Sequence, residues 1–270
     1  MISAGNIEFE PPQRKIFMLT NSIAILWAGD AALQGEITSA LFYRVGEMIK
    51  QNPEVWLEVK QVALLYRDEY NKSVRGRAEQ ALLAPLGLTY ERFLAEQSQF
   101  SAEFVDRVTS DLRAFETDGV SALIAGVDPT AGHIWLVENG DLYSQDTAGF
   151  AAIGSGAWHS ESQLMFAGHT VHKVFSETMF LTYLSKKRAE VAPGVGAETD
   201  MVVIFALGGS YPVDSTLQDV LHNEYESVVE RQTAAVSEST KNITEHVDKL
   251  IEDVAQQTQA LPETPTDGPS

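Results

Sequence analysis

The chain has 270 residues, 44% of them hydrophobic, with 38 acidic and 19 basic side chains and a net charge of −19. That length can bury a full core, and the acidic excess argues against nucleic acid and anionic membrane surfaces, whose phosphates are held by Lys and Arg. Cysteine is absent, which excludes disulfides, thiolate zinc sites and a Cys nucleophile within these residues.

No apolar run reaches membrane-span length and Met1 opens no basic, apolar leader, so the expected location is the cytoplasm. Residues 1–12 read as irregular, running into Pro11-Pro12. Segments 15–20 and 22–28 read as two short apolar strands joined at Asn21-Ser22, and Gly29-Asp30 opens a helix. A Gly at that junction brings backbone N–H groups near a helix N-terminus, where an oxyanion could be held; the same residues equally suit a plain strand–turn–helix joint. Leu33, Ile37, Leu41, Val45 and Met48 then recur at helical spacing over 31–50, and Asn52-Pro53 breaks the pattern. A second helix is expected over about 54–71. Residues 72–99 are less regular, and Ser101 is the expected N-cap of a third helix.

From Gly119 the character changes. Residues 120–127 and 133–138 read as strands around a 128–132 turn, Asn139-Gly140 is a hairpin signal, and 141–146 with 149–153 complete an expected antiparallel meander. Gly154-Ser155-Gly156 turns the chain into a helix over 157–167. A further helix is expected over 174–191, with Phe175, Met179, Tyr183 and Lys186 on its apolar face, then a buried strand over 199–207 ended by Gly208-Gly209. Arg75/Arg77, Lys186-Lys187-Arg188 and the acidic pair Asp68/Glu69 read as solvated helix faces. Two antiparallel sheets packed face to face with helices outside would bury every apolar face in this order, an α+β class.

Residues 214–270 carry 12 acidic against 3 basic side chains, nearly half the net charge. Val229, Val236, Ile243 and Leu250 recur every seven residues, with Thr233, Thr240, Val247 and Val254 as the companion row. This suits a helix packed on a partner helix or on the domain surface, with the Thr pairs weakening the first half of the seam. Residues 261–270, rich in Pro and small polar side chains, read as a disordered tail. The expected organisation is a domain over 1–212 with a helical insertion at about 67–99, an acidic helix over 213–260 and the tail.

Lys15 before a strand, the Ala28-Gly29-Asp30-Ala31-Ala32 junction, the strand over 122–128, Gly149–Gly156 (GFAAIGSG) and Thr199-Asp200-Met201 occur in an order that resembles the proteasome β-subunit family, including bacterial peptidases that work with ATP-driven unfoldases. The resemblance covers about 1–50 and 115–207. It implies the four-layer αββα sandwich of N-terminal-nucleophile hydrolases, in which an N-terminal Thr, Ser or Cys attacks the peptide bond and the chain's own α-amine accepts the proton. That amine titrates near neutrality, and a neighbouring ammonium lowers it further. By resemblance Lys15 is that lysine, Gly29 supplies an oxyanion N–H and Ser155 is a hydrogen-bond partner beside the nucleophile. Read alone, Lys15 also suits a charge guarding a strand start, and Gly154-Ser155-Gly156 a turn.

The family pattern begins with two strands carrying the nucleophile and an orienting Asp, and Met1 corresponds to a point after both. A loop that often carries another Asp and a Ser reads Glu190-Val191-Ala192-Pro193 here. The expectation is an N-terminally truncated domain whose true start lies upstream; the alternative is a non-catalytic scaffold or adaptor acting through its acidic C-terminal helix. Implied partners are further copies of the chain, an ATP-dependent unfoldase and unfolded protein or peptide substrate. No cofactor or metal is expected: His169 and His172 lack a HExxH pattern, and no phosphate loop is present.

Overall fold

The computed structural model describes residues 2–4, 7–9 and 15–259. Its first element corrects the reading of the N-terminus: β1 (Ile2–Ala4) pairs antiparallel with β2 (Ile7–Phe9). The overlooked sequence signal is Gly5-Asn6 between two apolar-rich triplets, a dipeptide that two-residue hairpin loops favour.

The central element is a five-stranded antiparallel sheet in chain order: β3 (Ile16–Met18), β4 (Ile23–Gly29), β5 (Val120–Val127), β6 (Gly132–Glu138) and β7 (Asp141–Ser144). Alternation sets its register. Ile23 and Ile25 of β4 and Val120, Ala122 and Ile124 of β5 point to one face, where they join the main core. Phe17 and Trp27 stack across β3 and β4 with ring centroids 6.2 Å apart. The Asn139-Gly140 turn joins β6 to β7 as expected.

Two helices cover the core face. Helix α1 (Ala31–Gln51) buries Leu33, Ile37, Leu41 and Val45 on one stripe; α2 (Val59–Ala78) buries Val59, Val62, Ala63 and Tyr66. The second helix starts later than expected because the Asp128 carboxylate, 69 residues away, accepts from the Val59 N–H at 3.1 Å. The helical path continues through a π-turn (Glu79–Leu83) and a 3-10 turn (Ala84–Leu86), then α3 (Tyr90–Ala95) and α4 (Ala102–Ala114), which Ser101 caps through the Phe104 N–H. Leu83, Leu88, Phe93 and Val108 form a separate small core there, with Phe100 and Phe104 packed on it. A second nucleus of that kind lets this helical segment order itself without contributing to the sheet.

The expected strand over 149–153 is irregular backbone. The Gly149 N–H donates to the Gln145 carbonyl at 2.8 Å, closing a turn, and the Ala152 N–H donates to Glu161 Oε1 at 3.2 Å, so the segment is tied to helix α5 (Ala157–Phe166) rather than to a ladder. Helix α6 (Phe175–Ala189) buries Tyr183 of the expected face together with Leu181, Leu184 and Ala189 and leaves Phe175 exposed; Ser160 Oγ and Ser185 Oγ meet at 3.1 Å across the α5–α6 contact. The strand expected over 199–207 shortens to β8 (Val202–Ile204). The Phe205 N–H donates to the Gly209 carbonyl and the chain returns as β9 (Ser210–Pro212).

The chain divides into two compact units, Met1–Val213 and Asp214–Ser270. The second consists, among the described residues, of one helix, α7 (Ser215–Gln259). At this level the molecule is a mixed α and β protein with antiparallel pairing throughout. No described helix is long and apolar enough to cross a membrane.

Candidate functional site

Lys15, Gly29 and Ser155 border one cleft of about 960 Å³ in the N-terminal unit. A volume of this order lies at the upper end of the range of small-ligand clefts. Each reaches it by a different route. Lys15 precedes β3, whose Ile16 pairs with Leu26 of the neighbouring strand. Gly29 closes β4 opposite Val120. Ser155 sits in the turn before α5, where the Ala157 N–H donates to the Gly154 carbonyl at 3.1 Å.

Two glycines are required by close approach. Gly29 has φ +107°, and a Cβ there would lie 2.0 Å from the Gly119 carbonyl oxygen. Gly156 lets the Ser155 turn seat against α6, since a Cβ would fall 2.8 Å from the Ala189 Cβ and 3.0 Å from Val195 Cγ2. The turn meets the strand end at Gly154, where an added Cβ would lie 3.3 Å from the Ala28 Cβ.

The strand end is also pinned from below. Gln34 is fully buried; its Nε2 donates to the Ser121 carbonyl at 3.3 Å and reaches the Ala28 carbonyl at 3.5 Å, while its Oε1 accepts from the Tyr66 hydroxyl at 2.6 Å. Burial raises the Tyr66 hydroxyl above its ordinary pKa, which keeps it a donor. Asp30 caps α1 by accepting from the Ala32 and Leu33 amides at 2.8 and 3.3 Å, and its other oxygen accepts from Arg77 at 3.1 Å. Burial opposes its ionisation, but the two amides and the guanidinium outweigh that and hold the carboxyl below its usual range.

Several charges expected on solvated faces are instead paired. Arg77 bonds Asp30; Glu69 is buried and accepts from Arg44 at 2.8 Å; Arg75 lies over the Tyr90 ring at 4.6 Å. Lys186, read as part of an apolar face, lines the cleft and donates to Glu190 at 2.5 Å and to the Gly196 carbonyl at 2.7 Å. Lys187 donates to the same carboxylate at 2.9 Å and to the Ala197 carbonyl at 3.2 Å. Burial opposes charge on Glu190, and the two ammonium groups overcome it, drawing the carboxyl below its usual value. Lys186 and Lys187 thus tie α6 both to Glu190 and to residues 196–197, while Pro193, Gly194 and Val195 line the cleft. Sequence reading missed Lys186 because nothing local separates a lysine facing a cleft from one facing solvent.

A polar cluster lies at the opposite end of β5. Thr130 Oγ1 donates to Asp128 at 2.6 Å and contacts His133 Nε2 at 2.8 Å, while His133 Nδ1 meets Asp146 at 2.7 Å. Asp128 also accepts from the amides of Thr130, Ala131 and Val59, and Asp146 accepts from that of Ile134, so both carboxylates are committed to holding turns and a helix start. The bond to Asp146, opposed by burial and helped by Asp128, raises the His133 pKa. A raised folded-state value contributes stability that is complete below the unfolded His value of about 6.5 and is lost as pH rises through the folded one. The urea midpoint of the wild-type chain should fall between pH 6 and 8.5, and His133→Gln should remove most of that slope; an unchanged slope in the variant would place the titration elsewhere.

Among the described residues no group of three His, Asp or Glu side chains is placed to hold a metal ion. The cleft offers the ammonium groups of Lys15 and Lys186, the carboxylates of Asp30 and Asp118, the hydroxyls of Ser155 and Ser160 and an apolar wall that includes Leu26, Leu123 and Ile153. Comparison with protein-family models and with curated proteins returned no match.

Proposed function

We propose that this chain is a proteasome-like peptidase subunit of the N-terminal-nucleophile type, hydrolysing peptide bonds in unfolded protein or peptide inside a homo-oligomeric assembly. The observation that carries this function is the convergence of Lys15, Gly29 and Ser155, 14 and 126 residues apart, on one cleft. In the proposed mechanism the Lys15 ammonium lowers the proton affinity of a neighbouring α-amine and favours an ionised or hydrogen-bonded nucleophile. The Gly29 backbone N–H stabilises the tetrahedral oxyanion, and Ser155 orients the amine. In this reading the nucleophile is an N-terminal Thr, Ser or Cys residue.

The corresponding architecture is the four-layer αββα sandwich, with α1 and α2 as one outer layer and α5 and α6 as the other. Exposed apolar side chains on α5, Trp158 at 84% and Phe166 at 91% of full exposure, suit burial between subunits. An ATP-driven unfoldase in the cytoplasm would supply substrate to such an assembly.

The test is the chain expressed with its in-frame upstream residues and assayed on fluorogenic peptides and an unstructured protein. Cleavage is expected, and Lys15→Ala should lower it tenfold or more with the unfolding midpoint unchanged. An inert extended chain, with and without candidate ATPases, or a stop codon directly before Met1, overturns the proposal.

A further inference from the structure

Helix α7 presents a heptad seam that is exposed from Thr233 to Val254. Val236, Ile243, Leu250 and Val254 are all more than half exposed. Placing Val229, Val236, Ile243 and Leu250 at the d positions puts Thr233, Thr240, Val247 and Val254 at a. Two threonines in a seam weaken it when their hydroxyls must be desolvated. Here Thr233 Oγ1 donates to the Val229 carbonyl at 2.9 Å and Thr240 Oγ1 to the Val236 carbonyl at 2.8 Å. With both hydroxyl donors satisfied inside the helix, burying these positions leaves no unpaired donor, and the threonine methyl groups remain to pack.

Of the six acids in Val229–Val254, Asp248 at b joins three at f on the outer side, while Glu230 at e and Asp253 at g flank the seam. The acids Glu238, Glu245 and Glu252 fall at successive f positions, on the side away from the seam. In a parallel, in-register pair each g residue faces the following e residue of the other helix, which gives Gln232 with Ser237, Ser239 with Thr244, and His246 with Ile251. No acid meets an acid in those three pairings, although this segment carries much of the chain's negative charge. In-register pairing also sets the Thr layers against each other and the aliphatic layers Ile243–Val254 against each other; an antiparallel pair would place the threonine half against the aliphatic half.

We infer that α7, over Val229–Val254, pairs with α7 of a second copy of this chain as a parallel, in-register coiled coil about 39 Å long at 1.5 Å per residue. This pairing is independent of the peptidase proposal. It ties two copies through their C-terminal units whether or not the cleft is catalytic.

The cysteine-free sequence allows a direct test in the full chain. Under mild oxidation Ile243→Cys should form covalent dimers at least tenfold more than Glu245→Cys, which places the thiol at the outward f position. Co-expressed Val236→Cys and Leu250→Cys chains should give homodisulfides, whereas predominant 236–250 heterodisulfides would overturn the parallel register. In an Ile243→Asp/Leu250→Asp background the Val236→Cys homodisulfide should fall at least tenfold. Cross-linking no greater at 243 than at 245, or a Val236→Cys cross-link unaltered by the double variant, overturns the pairing.

Discussion

Gly29→Ala should destabilise the chain by about 4 kcal/mol, and about 10 °C in melting temperature for a unit of this size. Two costs combine. The φ of +107° is one that an L side chain rarely adopts, and the added methyl would sit 2.0 Å from the Gly119 carbonyl oxygen, a backbone atom that cannot rotate away. Relief requires the end of β4 to part from β5, which would also loosen the Gln34 bridge to Ala28 and Ser121. Gly35 is the internal control. It lies inside α1 with nothing near its missing Cβ, so Gly35→Ala should stabilise by roughly 0.5–1 kcal/mol. Urea unfolding of both variants checks the pair; a Gly29→Ala loss under 1 kcal/mol would mean the strand end is not held against Gly119.

Asp128→Ala should cost about 3 kcal/mol, since it strips the acceptor from three amides and a hydroxyl in one step. Burial of this carboxylate opposes its charge, yet Thr130, Val59 and Ala131 together bring its pKa to about 2. A depressed folded-state value contributes stability that is complete above the unfolded value near 4 and disappears as pH falls toward 2. Wild type should therefore lose about 2 kcal/mol from this group between pH 4 and 2. Asp128→Asn keeps an acceptor for the Val59 amide, so its cost at pH 7 should be smaller than that of Ala, and its acid limb should be flatter. Equal acid limbs in wild type and Asn variant would show that other carboxylates dominate the acid response.

Both residues show where local reading stops. The strands 120–127 and 133–138, the Asn139-Gly140 turn, the Ser101 cap and the amphipathic stripe of α1 were legible, because each depends on periodicity or on turn chemistry within a few residues. The start of α2 was not, because its cap comes from a turn 69 residues later. Nor was the irregular path of 149–153, where a bond to Glu161 replaces a ladder that the apolar composition alone would favour. Charged faces were misread for the same reason: Glu69 and Arg77 look like solvent-facing residues until the elements that pair with them are in place.

The candidate site divides along the same line. Sequence alone determined that Gly29 ends a strand at a helix start, that Gly154-Ser155-Gly156 is a turn and that the C-terminal helix repeats every seven residues; these follow from backbone preference and side-chain period. Only the tertiary structure decided that Lys15, Gly29 and Ser155 share a cleft, because it brings the turn at Gly154 against Ala28 at the end of β4. It also decided that Lys186 lines the cleft while Glu190 is turned to the lysines of α6. Local preference acts over one or two turns of chain, whereas a cleft is made by close approach of segments more than a hundred residues apart.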